Sequence, residues 1–421
     1  MKLYVFNPDT DMALGNNKEN YMPPASARQM SQDIALLPIW YAPPGSAVLA
    51  PSAYNAAYLQ EMKRMFPISA QLVTEPELPD YAECQVMPWG WNPAFRKRML
   101  KGGIAEHRLP ALDELAGYRM MASRIHTISL CRILDFGEAS RYTCGEHRVI
   151  EGDGKGEFAD ALTGDLTHIA VGNRENAPAR NLKDALAGGL TNGYVFKSVW
   201  SGSGKGLRWC RQGLTKPAAD WCNRQLSEYG AVIVEPIYNK VGDFAMEFYS
   251  DGQGKVLFIG YSRFTTDENG AYRGNLMVSD TEVERWLGQY VPREAIVCIR
   301  ERLLTGLEGI YGKCYTGTLG IDMMVCLQED GASYAIHPHV EINVRMTMGI
   351  VAHQFYKNFA APGSEGVFSV DYYPSNDILR LQHERDEHDY PLVVEKGRIV
   401  SGYLPLTPVT PKSCYRVYVR L

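Results

Sequence analysis

A glycine- and serine-rich turn that follows an apolar strand carries the strongest chemical signal in this chain. The segment from Val195 to Leu207 reads Val-Phe-Lys-Ser-Val-Trp-Ser-Gly-Ser-Gly-Lys-Gly-Leu. Glycine permits positive φ angles and close approach of the backbone, so consecutive N–H groups can converge on an anion while neighbouring lysines add positive charge. The pattern predicts a phosphate-binding loop with a nucleoside triphosphate as its ligand. The predicted contacts are Lys197, Ser201, Gly202, Ser203, Gly204 and Lys205.

Two commoner phosphate loops do not fit the spacing of this turn. A Walker A loop would need a glycine at position 199 and a hydroxyl at position 206, where the chain has Val199 and Gly206. A protein-kinase loop would need a third glycine at position 207, where the chain has Leu207. An ordinary hairpin turn without a ligand stays open as an alternative for the turn taken alone.

Two later segments place oxygen-bearing side chains on predicted strands. Asp322 stands alone among apolar neighbours, whereas Glu341, Asn343 and Arg345 follow one another at a spacing of two. Because side chains alternate across a strand, the last three share one face. Mg²⁺ prefers carboxylate and amide oxygens, and an arginine beside them would stabilise charge on a transferred phosphoryl group. The alternative is a solvent-exposed face on which Glu341 and Arg345 only neutralise each other as an ion pair.

Two further segments invite a functional interpretation. Glu235-Pro236-Ile237-Tyr238 ends an apolar strand, where the stiffened backbone could meet the edge of an adenine ring. Taken by itself, Glu235 is better interpreted as a solvated or hydrogen-bonded surface residue. His337 and His339 flank a proline, but the sequence supplies no third zinc ligand at an expected spacing, so both are predicted to be structural.

The composition is that of an ordinary globular protein. The 421 residues include 45% apolar and 22% charged residues with a net charge of -5, which predicts two or three domains and disfavours a nucleic-acid partner. The nine cysteines form no CxxC pair, and the first apolar run is too short for a signal peptide or a membrane span. We expect a cytoplasmic protein that acts on small molecules without a membrane. The charged segment 372–390 is predicted to be solvated surface.

The pattern of elements predicts a mixed α/β and α+β architecture. Short apolar strands near Lys2, Ala47 and Cys84 alternate with helical stretches, as in a small α/β domain. From Tyr194 onward strands dominate, apart from an amphipathic helix over 292–311. The expected domains are an N-terminal α/β domain over 1–110, a central part over 111–234 and a C-terminal part over 235–421.

The order of these motifs resembles that of the ATP-grasp superfamily, which includes D-alanine:D-alanine ligase, glutathione synthetase and biotin carboxylase. The resemblance implies a pre-ATP-grasp-type α/β domain followed by two α+β subdomains that clamp ATP and two Mg²⁺ ions. It also implies that Lys197 contacts the nucleotide, that 201–206 closes as a flap and that 235–238 holds adenine. The residues implied for Mg²⁺ and for phosphoryl transfer are Asp322, Glu341 and Asn343 and then Arg345.

Three further assignments follow from the resemblance. Asp243 resembles the acidic ribose contact, with Glu247 as a competitor for that role. The second ATP-binding lysine of the family is missing from the helical segment 112–124, where Arg119 is the candidate substitute. Arg263 would face the phosphates or the acyl substrate, or else be an ordinary surface arginine.

The activity that the resemblance implies is that of an ATP-dependent ligase, which joins a carboxylate to an amine through an acyl phosphate. Two alternatives stay open, a kinase that phosphorylates a hydroxyl and a nucleotide-binding protein without turnover. The sequence also leaves a homodimer open. Polar loops after the N-terminal strands could line the substrate pocket, although turn and capping roles explain them equally well. These loop residues are Asn7, Asp9, Asp11, Asn20, Tyr21 and Trp89–Asn92.

Overall fold

The N-terminal part is a four-stranded parallel sheet with helices packed around it. The structure is a computed structural model that describes residues 1–145, 147–151, 169–171, 193–202 and 206–421. The first strands are β1 (Lys2–Val5), β2 (Ala47–Leu49), β3 (Gln71–Val73) and β4 (Gln85–Pro88), in the order β3-β2-β1-β4. The helices are α1 (Thr10–Asn16), α2 (Ala25–Asp33), α3 (Asn55–Met65) and α4 (Pro93–Lys101), with 3-10 turns at Leu37–Trp40, Glu75–Tyr81 and Glu106–Arg108.

Parallel pairing of β1 with β4 brings the loops after these two strands to one edge of the sheet. The Asn7 side chain after β1 donates from Nδ2 to the carbonyl of Gly90 after β4, at 2.8 Å. Asn92 accepts a hydrogen bond from the Phe95 N–H at 2.9 Å and so begins α4. These two asparagines therefore hold the loops rather than facing a ligand.

The middle of the chain forms an antiparallel five-stranded sheet. Two helices and a 3-10 turn precede it, α5 (Leu112–Met121), α6 (Arg124–Ile133) and Gly137–Tyr142. Helix α7 (Lys216–Tyr229) packs Trp221 and Cys222 against Phe196 and Val232 of the sheet. The strands are β5 (Arg148–Glu151), β6 (Ile169–Val171), β7 (Tyr194–Ser198), β8 (Leu207–Cys210) and β9 (Ala231–Pro236), in the order β6-β5-β9-β7-β8.

The rest of the chain builds an antiparallel eight-stranded sheet, in the order β14-β13-β10-β11-β12-β15-β19-β18, and a separate hairpin of β16 with β17. The strands are β10 (Asn239–Asp251), β11 (Val256–Thr266), β12 (Tyr272–Met277), β13 (Thr316–Leu327), β14 (Tyr334–Asn343), β15 (Gly366–Tyr372), β16 (Val393–Glu395), β17 (Arg398–Ser401), β18 (Tyr403–Pro405) and β19 (Tyr415–Arg420). The helices are α8 (Asp280–Leu287), α9 (Arg293–Ile310), α10 (Met348–Phe359) and α11 (Asn376–Asp389).

Alternation along the long strands gives the eight-stranded sheet two different faces. Phe244, Met246, Ile321 and Met323 are buried in one core with residues of α8 and α9 such as Ile299. The intervening positions, which point to the opposite face, combine small residues such as Ala245 with carboxylic acids such as Asp322. The sheet therefore has one apolar face covered by helices and one polar face, and the polar face carries the candidate site.

The charged segment 372–390 differs from its predicted role as solvated surface. It contains α11, in which Asp386 is buried and pairs with Arg416, with 2.7 Å between Arg416 NH1 and Asp386 Oδ2. A buried guanidinium needs such a partner because an isolated charge is costly to desolvate. One acidic residue of the segment is thus part of the packing.

The mixed α/β and α+β architecture is confirmed, since a parallel sheet is followed by two antiparallel ones. The change from the five-stranded to the eight-stranded sheet falls between Pro236 and Asn239. The domain boundaries near 110 and 234 stay predictions. Among the described residues, no helix combines the length and apolar character needed to cross a membrane.

Candidate functional site

A row of side chains crosses the polar face of the eight-stranded sheet. Asp322 on β13 lies directly opposite Glu341 on β14, and on its other side it faces Ala245 on β10. Ala245 in turn pairs with Ser262 on β11. The register therefore sets two carboxyl groups on neighbouring strands of one face, with small side chains beside them.

Asn343 and Arg345 continue this row toward the N-terminal part. Asn343 donates from Nδ2 to Asp322 Oδ2 at 3.1 Å, and Arg345 NH2 donates to Asn343 Oδ1 at 2.8 Å. Arg345 also forms an ion pair with Asp11 of α1, with Nε 2.9 Å from Oδ1 and 2.8 Å from Oδ2. The structure thus brings together all four predicted residues of the late strands, and it adds Asp11 from the N-terminal part.

Glu247 on β10 is a further carboxyl group on this face, and it is 1% exposed. Glu247 Oε1 accepts a hydrogen bond from Ser262 Oγ at 2.9 Å, and Thr347 Oγ1 donates to the same carboxylate at 3.3 Å. A Cβ at Gly320 or Gly349 would lie within 2.7 Å or 2.3 Å of its oxygens, so only glycine leaves room for it. The sequence had offered Glu247 only as a competitor for the ribose contact.

We define the acidic face as Glu247, Asp322, Glu341 and Asn343. Burial, followed by the nearby carboxyl groups of Glu341 and Glu247, raises the pKa of Asp322 well above its usual range. Burial likewise raises the pKa of Glu247 to about 7, against the hydrogen bonds of Ser262 and Thr347. Carboxyl groups in this state gain strongly from a nearby cation, because it offsets both desolvation and like-charge repulsion.

Lys197 approaches the acidic face from the five-stranded sheet. Its Nζ lies 3.4 Å from the carbonyl oxygen of Val340, the residue before Glu341, and 2.5 Å from Glu235 Oε2. Burial raises the pKa of the Glu235 carboxyl, but Lys197 and His147 outweigh burial and hold that pKa well below its usual range. Glu235 is therefore an ionised buried partner of Lys197 and not a surface residue.

An arginine that the sequence did not single out lies at the centre of the site. Arg124, at the start of α6, places NH2 2.8 Å from Glu341 Oε1, and its NH1 donates to Ser201 Oγ at 2.7 Å and to the Ser198 carbonyl at 2.8 Å. It joins the acidic face to the beginning of the glycine-rich turn. No spacing rule marks this residue, because its role depends on contacts with residues that are far away in sequence.

Arg119, the predicted substitute for the second ATP lysine, has other partners. It donates from Nε to the carbonyl of Leu14 at 2.8 Å and from NH2 to that of Gly15 at 3.2 Å, and its guanidinium lies 3.9 Å from the ring centroid of Trp200. These contacts satisfy carbonyls at the end of α1. The arginine beside Glu341 is Arg124, and the phosphate-binding role of Arg119 stays a prediction.

Arg263 lies away from the polar face of the eight-stranded sheet. Its neighbour Ser262 is in register with Ala245 and Asp322 on the polar face, so Arg263 points to the opposite face. There its guanidinium lies 4.1 Å from the ring centroid of Trp286 of α8. This placement, on the face away from the cavity, favours the alternative that Arg263 has no contact with the substrates, and its catalytic role stays a prediction.

The predicted ribose contact lies on β10, and the predicted adenine contacts lie where β9 ends and β10 has not yet begun. Asp243 accepts hydrogen bonds from Lys240 Nζ at 2.6 Å and from Thr266 Oγ1 at 2.9 Å. In the segment Pro236–Tyr238, the N–H of Ile237 donates to the Gly193 carbonyl at 3.0 Å, so that group is already used. Their roles toward a nucleotide stay predictions.

A cavity of about 690 Å³ opens between the acidic face and the N-terminal part. Its wall includes Asp322, Glu341, Asn343 and Arg345 on one side and Asp11 on the other. Gly202 of the glycine-rich turn also lines it, and so do Pro8 and Trp89 of the N-terminal loops. Asn20 instead accepts a hydrogen bond from Lys97 Nζ at 2.8 Å. Ser203, Gly204 and Lys205 lie outside the described residues.

His337 and His339, predicted to be structural, lie beside Lys197 and Glu235 rather than at the cavity. His147, just before β5, contacts Glu235 Oε1 through Nδ1 at 2.7 Å and His339 Nδ1 through Nε2 at 3.0 Å. Burial and then the neighbouring His147 lower the pKa of His337 well below its usual range and that of His339 to about 3. Both rings are therefore neutral near pH 7.

No family model and no curated protein sequence matches this chain. The fold is similar to solved structures. A biotin carboxylase from Campylobacter jejuni in complex with a nucleotide is 11% identical with a TM-score of 0.49, and the match covers 100% of this chain and 86% of that one. The likeness is one of overall architecture, and the ATP-grasp resemblance continues to rest on the order of the motifs.

Two other structures are similar over most of their length. An ADP complex of N5-carboxyaminoimidazole ribonucleotide synthetase is 14% identical with a TM-score of 0.44, covering 100% of this chain and 91% of that one. A D-cycloserine synthetase is 14% identical with a TM-score of 0.42, covering 74% and 97%. These likenesses concern the fold alone.

Proposed function

We propose that this protein is an ATP-dependent ligase that joins a carboxylate to an amine. The observation that carries the proposal is the pairing of Asp322 with Glu341 in one cavity wall, flanked by Arg345 and Arg124 and approached by Lys197. Partly buried acids beside arginine and lysine side chains, next to a glycine-rich turn, form a surface suited to a triphosphate and its metal ions. The ATP-grasp resemblance of the motifs points to the same chemistry.

The acidic face fits Mg²⁺ by the chemistry of its donors. Asp322, Glu341 and Asn343 offer oxygen ligands. Burial, followed by the neighbouring carboxyl groups, raises the pKa of Asp322, so its ionised form would gain from a nearby cation. Two ions are expected from the resemblance, with Glu341 between them. Bound Mg²⁺ would neutralise charge on the phosphates during transfer.

The arginines of the site would hold the phosphoryl group that is transferred. Arg345 is fixed by Asp11, Asn343 and the carbonyl of Met346, so its guanidinium is oriented before a ligand arrives. The Asp11 carboxylate occupies the edge of this guanidinium that a phosphate would take, and nucleotide binding would exchange one anion for the other. Arg124, with Nε buried and without a hydrogen-bond partner in the described residues, keeps a donor for a further acceptor.

The proposed reaction has two steps. A carboxylate oxygen of the substrate forms a bond to the γ-phosphorus of ATP while the bond to ADP breaks, which yields an acyl phosphate. The amine nitrogen then forms a bond to the carbonyl carbon, the bond from that carbon to the phosphate oxygen breaks, and inorganic phosphate leaves with the proton that the nitrogen releases. Positioning and charge stabilisation by Lys197, Arg124 and Arg345 would supply most of the rate, and the turn at 201–206 would exclude water from the acyl phosphate.

The experiment that tests the proposal is a screen for phosphate release. The protein is incubated with ATP, Mg²⁺ and pools of amino acids and small carboxylates, and free phosphate and the fate of the acceptor are followed by phosphorus NMR. A ligase releases ADP and free phosphate when both substrates are present. Phosphate that stays on an acceptor hydroxyl would instead identify a kinase, and nucleotide binding without any turnover would identify a non-catalytic protein.

A matched pair of variants connects the activity to the acidic face. Glu341→Gln should lower the rate of phosphate release by about 100-fold or more, because an oxygen ligand loses its charge. Glu329→Gln, at the exposed turn of the same β13–β14 hairpin, should leave the rate unchanged. Equal rates in the two variants would refute the assignment of Glu341.

The same proposal includes a cytoplasmic location, Asp243 as the ribose contact, 235–238 as the adenine site and a homodimer.

A further inference from the structure

Three histidines from distant parts of the chain meet in the protein interior. We call His147, His337 and His339 the histidine cluster. His147 precedes β5 of the five-stranded sheet, whereas the other two lie on β14 of the eight-stranded sheet. Their exposed fractions are 4%, 0% and 7%. The cluster thus bridges the two antiparallel sheets, away from solvent.

The three rings are arranged as a nearly equilateral triangle. Their centroids lie 5.0 Å apart for His147 and His337, 5.1 Å for His147 and His339, and 5.1 Å for His337 and His339. One nitrogen of each ring lies within 4.8 Å of the corresponding nitrogens of the other two. A tetrahedral ion with metal–nitrogen bonds of about 2.0 to 2.1 Å holds its ligand nitrogens about 3.4 Å apart and the ring centroids about 5 Å apart.

Hydrogen bonding accounts for only part of this arrangement, because His147 lies within hydrogen-bond distance of Glu235 and His339 but His337 does not share in these contacts. Both ring nitrogens of His337 are buried and have no hydrogen-bond partner among the described residues. A buried polar group without a partner costs free energy, and native proteins rarely retain one without a reason. A bound metal ion would supply a partner for one of these nitrogens.

The surroundings of His147 match those of a metal-bound histidine. Its Nδ1 faces the carboxylate of Glu235 at 2.7 Å, and a carboxylate can only accept, so Nδ1 carries the proton. Nε2 then has its lone pair directed at the other two rings, where it lies 3.0 Å from His339 Nδ1. A carboxylate that orients a histidine in this way is the usual outer partner of a zinc-ligating imidazole.

We propose that the histidine cluster is a binding site for a divalent transition metal of the zinc class. Three imidazole nitrogens suit zinc, copper, nickel or iron, whereas Mg²⁺ prefers oxygen ligands. The site is separate from the acidic face, and Glu235 connects it to Lys197. A bound ion would fix the ring of His147 and so the Glu235 carboxylate that holds Lys197.

Metal binding tests this proposal without any assay of activity. The purified full chain, free of a histidine tag, is stripped with a chelator and dialysed against Zn²⁺ in the presence of excess Mg²⁺, and the bound metal is measured by mass spectrometry. Co²⁺ is used as a spectroscopic probe, because its visible absorption reports tetrahedral nitrogen ligation. We expect one Zn²⁺ per chain and a tetrahedral Co²⁺ spectrum in the wild type.

Variants assign the metal to the cluster. His337→Phe should lower the affinity for Zn²⁺ by more than about 100-fold, and Glu235→Gln should lower it by about 10-fold to 100-fold through loss of the outer partner. His383→Gln changes a histidine of α11 that contacts Tyr403, and it should bind Zn²⁺ like the wild type. If His337→Phe does not fold, His339→Gln serves the same purpose. A wild type without Zn²⁺, or equal Zn²⁺ binding in the His337 or His339 variants, would overturn the proposal.

Discussion

The acidic face and the histidine cluster lie a few residues apart on strand β14, yet they are suited to different ions. Burial raises the pKa of Asp322 and Glu247 on one side and lowers the pKa of His337 and His339 on the other. In both regions burial disfavours the charged form, because the low-dielectric interior solvates charge poorly. The carboxyl groups therefore gain by meeting a hard cation, whereas the imidazoles are already neutral ligands for a softer one.

The comparison also shows how each region is held in place. The acidic face is set by the register of β10, β11, β13 and β14, four strands of one sheet. The histidine cluster requires two sheets, since His147 comes from the five-stranded sheet and its partners from the eight-stranded one. A substitution that removes one metal ligand from either region should therefore leave the ligands of the other region in place.

The largest expected effect is that of Asp322→Asn. We expect phosphate release to fall by about 1000-fold, because a ligand oxygen loses its charge, while Zn²⁺ still binds to the histidine cluster. The melting temperature of the ligand-free protein should be unchanged or higher, since the raised pKa disfavours the ionised carboxyl in the fold. Calorimetry, phosphate release and metal analysis measure the three outcomes. Activity within tenfold of the wild type would remove Asp322 from the proposed Mg²⁺ site.

The next effect is a dependence of stability on pH that originates at Glu247. Its folded-state pKa of about 7 lies above the usual 4.5, so the protonated form stabilises the fold. This contribution to the free energy of unfolding is fully present below pH 4.5 and is lost as the pH rises through 7. The loss is about 3 kcal/mol. Chemical denaturation of the ligand-free protein between pH 5 and 8 should show this loss.

Glu247→Gln is the control for that measurement. Glutamine cannot ionise, so the variant should lose much less stability than the wild type between pH 5 and pH 8. Mg²⁺ with ADP should also reduce the loss in the wild type, because a cation favours the ionised carboxylate. An equal loss of stability in the wild type and the variant would show that another group is responsible.

The smallest of these effects separates the two arginines of the helical segment. Arg124→Lys should lower the catalytic efficiency toward ATP by about tenfold, since lysine cannot contact Glu341 and Ser201 at once. Arg119→Lys should weaken the packing on Trp200 and lower stability by about 1 kcal/mol, with little change in the Michaelis constant for ATP. The opposite pattern would support the role first predicted for Arg119.

Much of the acidic face could be predicted from the sequence. The spacing of Glu341, Asn343 and Arg345 predicts one shared face, because the side-chain period of a strand is two. Asp322 can also be recognised in the sequence, because it is a single acidic residue among apolar neighbours on its strand. The face on which Arg263 lies depends on the pairing of Ala245 with Ser262, which the sequence does not reveal. The position of Arg124 beside Glu341 likewise depends on packing that no local pattern marks.

By itself, the sequence determined the kinds of chemistry and the local geometry that depends on strand and turn periods: the glycine-rich turn after β7, the oxygen donors of β13 and β14, and the mixed architecture. Only the tertiary structure decided which side chains meet. His147 and His339 are 192 residues apart in the chain, and Asp11 and Arg345 are 334 apart. Contacts over such separations depend on how the sheets pack, and packing depends on the whole core rather than on any local pattern.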